Sequence, residues 1–84
     1  MRPDPRMTIV TLYTAEGCAL CDRALEVVRG AQRELGFELE LVDITGSRDL
    51  EAKYREHLPV VEIDGERAFT FFVDPDALRR RLGG

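Results

Sequence analysis

Two cysteines, Cys18 and Cys21, stand three positions apart where one kind of sequence gives way to another. Ahead of them, Thr8 to Thr14 is β-branched, aromatic and uncharged, which suits a central strand buried on both faces. Behind them, Leu20, Ala24, Val27, Val28, Ala31 and Leu35 recur at helical spacing, with charged residues between. Ala15-Glu16-Gly17 allows only a short turn between strand and helix. A strand feeding a helix this closely opens a β-α-β crossover, whose strands run parallel and whose hand is right by strong default.

The rest of the chain extends that plan. Gly30 inside the helix is read as a concession to close packing on a strand, and Gly36 as the helix stop. Phe37 to Ile44 is a second strand; Phe37, Leu39 and Leu41 alternate with Glu38 and Glu40, so one face meets solvent or the strand lies at an edge. Ser47 is the expected N-cap of a second helix carrying Leu50, Tyr54 and Leu58, which Pro59 ends. Val60 to Ile63 forms a third strand, joined through an Asp64-Gly65 hairpin turn to a fourth over Glu66–Phe72. Asp74-Pro75 starts a last helix with Ala77, Leu78 and Leu82 on its apolar side. The order β-α-β-α-β-β-α predicts an α/β fold with a four-stranded mixed sheet and helices on both faces.

Length and charge limit what such a chain does. Eighty-four residues make one small domain, with residues 7–84 as its body and residues 1–6 as a flexible arm lacking the apolar core of a secretory signal. No segment reaches the ~20 apolar residues of a membrane span. A net charge of −4 argues against nucleic acid as a partner, since phosphate binding needs clustered Lys and Arg. Two closely spaced cysteines are not the framework of a secreted disulfide scaffold, so the expectation is a soluble cytoplasmic domain.

The position of the pair carries the chemistry. Cys18 falls at or near the helix N-cap, where unpaired amides and the positive end of the helix dipole favour an anion. Such a site favours thiolate, the nucleophilic form, so Cys18 is the expected attacking residue. Cys21 lies one turn on, on the same side and more shielded, where it can resolve a mixed disulfide formed at Cys18. Other uses of the pair stay open. A zinc site needs four ligands, and His57 alone remains, so it would need a second chain. Inert packing and a purely structural bridge also compete, although so short a loop restrains the unfolded chain little.

Several motifs now converge. Leu12-Tyr13-Thr14-Ala15-Glu16-Gly17-Cys18-Ala19-Leu20-Cys21-Asp22, then Val42-Asp43-Ile44, then Leu58-Pro59-Val60-Val61 resemble the thioredoxin superfamily, and more closely its short bacterial glutaredoxin-like proteins. The resemblance runs from about Thr8 to Leu82. It implies a minimal thioredoxin/glutaredoxin fold, a cis bond before Pro59 beside the cysteines, and a Leu58 backbone on which an extended substrate segment pairs. It also implies a thiol–disulfide oxidoreductase acting on protein or small-molecule disulfides, recycled by a reductase or by glutathione. No metal or nucleotide cofactor is implied.

The departures bear on the substrate. Thioredoxins carry Trp-Cys-Gly-Pro-Cys, where this chain has Gly17 before the pair and Ala19-Leu20 within it. Their buried acid ahead of the first cysteine is Leu12 here, which removes a proton relay at that position. Glutaredoxins carry a Lys shortly before the first cysteine and a Gly-Gly turn before the last helix; here stand Glu16 and Phe72-Val73-Asp74-Pro75-Asp76. Acidic residues at both places disfavour glutathione carboxylates, so glutathione as a cosubstrate is weakly supported.

Other residues have plainer readings. His57 either exchanges a proton with Cys21 or simply ends a helix, where its charge suits the dipole. Tyr13 is expected in the core. Arg79-Arg80-Arg81 reads as a solvated helix face, and Phe69-Thr70-Phe71-Phe72 as the inside of a strand. Two rival functions remain: a dimer holding a metal or iron–sulfur cluster through Cys18, as some glutaredoxin relatives do, and a non-catalytic binding or regulatory module on a thioredoxin scaffold.

Overall fold

The computed structural model describes residues 7–83, so the arm expected over residues 1–6 lies outside the described residues. Strand β1 (Ile9–Thr14) is followed by α1 (Ala19–Leu35), β2 (Glu38–Asp43), α2 (Arg48–Tyr54), a 3-10 turn (Arg55–His57), β3 (Val60–Ile63), β4 (Glu66–Thr70) and α3 (Pro75–Arg81). The sheet order is β2-β1-β3-β4. β1 runs parallel to β2 and antiparallel to β3, and β3 is antiparallel to β4. This is the mixed four-stranded α/β sheet that the order of elements predicts.

Alternation on the inner strands divides the core between two faces. Val10, Leu12 and Val61 point to a cluster with Val28 and Ala31 of α1, Leu78 of α3, and Phe37. Tyr13 and Val60 point the other way, to a smaller cluster with Ile44, Leu50, Tyr54, Ala15 and Leu58. Helices therefore cover both faces, α1 and α3 on one and α2 on the other.

The ends of the elements follow local chemistry. The Ser47 hydroxyl accepts from the Leu50 amide at 3.4 Å and caps α2, and Asp74 accepts from Ala77 at 3.3 Å and caps α3 ahead of Pro75. α1 stops at Gly36, whose N–H donates to the Gln32 carbonyl at 2.7 Å. Asp64 and Gly65 turn the hairpin with φ of 51° and 84°, both in the left-handed region that a tight hairpin turn demands.

β2 is the edge strand that its alternation allowed, and Leu41 on it is 48% exposed. Three expectations need correction. Leu20 is 51% exposed, because the buried stripe of α1 runs through Cys21, Ala24, Val28 and Ala31 and Leu20 lies beside it. Gly30 is not a concession to packing: a Cβ placed there meets no atom within 4 Å. Strand β4 ends at Thr70 rather than Phe72, and Phe71 and Phe72 are exposed instead of lining the sheet. Arg79 is also more than a solvated charge. Its guanidinium donates to both carboxylate oxygens of Glu34, at 2.8 and 3.0 Å, joining α3 to α1. Among the described residues no helix is long and apolar enough to cross a membrane.

Candidate dithiol site

Cys18 is the N-cap of α1, with φ −93° and ψ 100°, extended backbone just before the helix begins. Its carbonyl accepts the Asp22 amide at 3.2 Å, the first bond of the helical ladder. Its Sγ accepts the Cys21 amide at 3.1 Å. A sulfur here does the work of the usual serine or aspartate cap: it satisfies one of the amides that a helix start leaves without a partner.

Cys18 and Cys21 are joined in a disulfide, with Cα atoms 5.2 Å apart. The two sulfurs differ in access. Cys18 is half-buried, whereas Cys21 is only 2% exposed and sits among the core residues under α1. An incoming group reaches Cys18 first.

The loop before Cys18 is held from the β2 side. The Ile44 amide donates to the Thr14 carbonyl at 2.8 Å, and the Glu16 amide to the Thr45 hydroxyl at 3.0 Å. Thr45 is itself fixed, its amide donating to Asp43 Oδ1 at 2.9 Å. That backbone bond, seconded by the Thr45 side chain, holds the Asp43 carboxyl below the usual aspartate range. Gly17 completes the loop at φ 75°, a conformation that a side chain resists. Thr45 escaped sequence reasoning, since a threonine in an ordinary turn gives no sign that it anchors a loop 29 residues away in sequence.

Leu58 and Pro59 stand at the same end of the sheet. The β1–β3 register sets Tyr13 beside Val60, so the residues just before Val60 lie alongside those just after Tyr13. The Leu58–Pro59 bond is cis, Pro59 is buried, and Leu58 packs on the cluster that includes Ala15. His57 ends the 3-10 turn with its ring edge-on to Phe71, centroids 6.1 Å apart. Among the described residues no hydrogen bond joins His57 to either cysteine. Among them, too, no group of three or more His, Cys, Asp or Glu side chains is placed to hold a metal ion.

A polar cluster supports the α2 side. Tyr13 and Tyr54 stack with centroids 3.9 Å apart and donate to the two oxygens of Glu62, at 3.1 and 3.0 Å. Burial first, then the Tyr54 bond and the Glu62 charge, push the Tyr13 phenol above the ordinary tyrosine range. Glu62 was not singled out from sequence; an acid inside the apolar run of β3 is the signal that it needs buried partners.

The model of the Glutaredoxin-like domain (DUF836) family matches residues 9–83. The uncharacterized protein Rv0508 of Mycobacterium tuberculosis is 37% identical over 75 residues, which span 83% of this chain and 77% of that protein. The solution structure of protein Ne2328 from Nitrosomonas europaea superposes with a TM-score of 0.75 at 26% identity, covering 96% of this chain and 98% of the other. The X-ray structure of target protein XcR50 from X. campestris gives 0.74 at 30% identity, covering 88% and 95%. Chloroplastic thioredoxin z gives 0.76 at 17% identity over 93% of this chain and 77% of the other, a likeness of fold alone.

Proposed function

The chain belongs to the glutaredoxin-like domain (DUF836) family, and on that premise we propose that it is a thiol–disulfide oxidoreductase. The observation that carries the reading is the Cys18 sulfur accepting an N-terminal amide of α1 while its partner lies buried one turn behind. In the reduced protein the same amide and the helix dipole stabilise a Cys18 thiolate.

The reaction runs in two displacements. The Cys18 thiolate attacks one sulfur of a substrate disulfide; that S–S bond breaks, a mixed disulfide forms, and the departing thiolate takes a proton from solvent. Cys21 then loses its proton and attacks the Cys18 sulfur. The mixed disulfide breaks, the second substrate thiol leaves, and the Cys18–Cys21 disulfide remains. Two electrons have passed to the substrate, and either two molecules of glutathione, which leave as their disulfide, or one dithiol reductase restores the pair.

Leu58 and Pro59 supply the backbone against which an extended substrate segment aligns, in the manner of an added strand. Glutathione is the weaker of the two reductants, because Glu16, Asp74 and Asp76 oppose its carboxylates. A site that works as a reductant suits a reducing compartment, and a cytoplasmic location is part of this reading.

The test compares reduced wild type with Cys18→Ser and Cys21→Ser on a model disulfide. Cys18→Ser abolishes exchange, and Cys21→Ser accumulates a mixed disulfide visible by mass. Equal residual activity in all three proteins would reject the assignment.

A further inference from the structure

Three large apolar side chains are exposed around the dithiol: Leu20 at 51%, Phe71 at 50% and Phe72 at 71%. Leu20 stands between the cysteines, while the phenylalanines follow β4. They meet because of how β4 ends. The Phe71 amide donates to the Pro59 carbonyl at 2.9 Å, and the Phe72 amide returns to the Thr70 carbonyl at 2.7 Å. The second bond closes a γ-turn centred on Phe71, whose φ is 67°. A bulky residue resists that conformation, and a chain that only needed to leave β4 is better served by glycine. The outlier points to a use for the rings it displays. Leu20, Val27, Phe71, Phe72 and Val73 line a cleft of about 100 Å³ with Arg23 at its wall.

We propose that this cleft is the specificity pocket of the exchange site and takes an apolar side chain beside the disulfide of a polypeptide substrate; the inference rests on the exchange reading of Cys18 and Cys21. Position supports it, since Leu20 is exposed between the two cysteines, next to the sulfur that a substrate must reach. The lining sets the occupant: apart from Arg23 the wall is apolar, so a leucine buries there at a gain and a serine leaves its hydroxyl without a partner. Charge points away from glutathione. The adjoining groove offers one cation, Arg23, countered by Glu26, which does not match two carboxylates.

The experiment uses two disulfide-linked peptides, alike except that leucine or serine flanks the cysteine on both sides. Reduced wild type has a kcat/KM about tenfold or more higher on the leucine peptide, the low end of what one methylene is worth in an apolar pocket. In Leu20→Ser and in Phe72→Ser that ratio falls toward one. Leu41→Ser, which removes a comparably exposed side chain from β2, keeps it. Circular dichroism and thermal transitions of all three variants establish that they fold. Equal rates of wild type on both peptides, or a ratio that survives both pocket variants, would overturn the pocket and leave the exchange reading standing. Failure to exchange with either peptide and with a small model disulfide would remove both. A homodimer that dissociates in Phe72→Ser, with no discrimination between peptides, would give the cleft to a second copy of the chain.

Discussion

Tyr13 and Glu62 meet across β1 and β3, the phenol donating to Glu62 Oε1 at 3.1 Å. Tyr54 from α2 takes the other oxygen, and Leu58 packs against the same cluster. Tyr13→Phe keeps the stacked ring but removes one donor from a half-buried carboxylate. It should destabilise the fold by about 1.5–3 kcal/mol, the range for a bond to a charged group. Urea denaturation measures this, and an unchanged midpoint would show that the bond contributes nothing.

The same phenol governs the alkaline limb. Its ionisation is shifted upward in the folded state, chiefly by burial. A raised folded value means stability that is complete below the unfolded tyrosine value of about 10 and declines as pH rises beyond it. Stability should therefore fall above about pH 10. Tyr13→Phe should flatten the decline, and an identical limb in the variant would contradict the assignment.

At the acid end the signs reverse. The Arg79 hydrogen bond, then its charge, lowers Glu34, and the bonds from Thr45 lower Asp43. Stability from depressed carboxylates is present above their unfolded values of about 4 and is lost as pH falls through the folded ones. Both groups are at the surface, so the effect is small, and the Glu34 part weakens with salt. Glu34→Gln and Asp43→Asn should each shallow the acid limb in a pH series of thermal transitions, while equal slopes would leave these bonds without weight.

Two glycines separate backbone strain from packing. A Cβ at Gly17 or at Gly30 meets no atom within 4 Å, but Gly17 has a φ of 75° and Gly30 is helical. Gly17→Ala should cost about 1 kcal/mol and Gly30→Ala should add about 0.5–1 kcal/mol. Shifts of the same sign would mean that something besides φ decides.

Much of the scaffold was legible because it is written in neighbouring residues. Ser47, Asp74-Pro75, Asp64-Gly65 and the placement of Cys18 are matters of caps and turns, set within a few positions of chain. One crossover and one hairpin give the β1–β2 and β3–β4 pairings, whereas the docking of β3 on β1 is a matter of the whole fold. What escaped depends on which residues meet across the fold. The run from Phe69 to Phe72 is apolar enough for a strand, and only the bond from Phe71 to Pro59 turns it outward. Leu20 keeps helical spacing, yet the buried stripe of α1 runs through Cys21, Ala24, Val28 and Ala31 and leaves Leu20 beside it. Glu34 and Arg79, 45 positions apart, pair because α1 and α3 share a face. At the site, the thiol pair was legible and the apolar surround was not.

The account depends on the Cys18 sulfur being held as an anion by the start of α1. Alkylation of the reduced protein across pH, resolved for each cysteine by mass, tests this most directly. The account predicts that Cys18 reacts with a midpoint well below the value of about 8.5 for a free cysteine, and that Cys21 stays protected. A Cys18 midpoint at or above that value, or faster alkylation of Cys21, would contradict it.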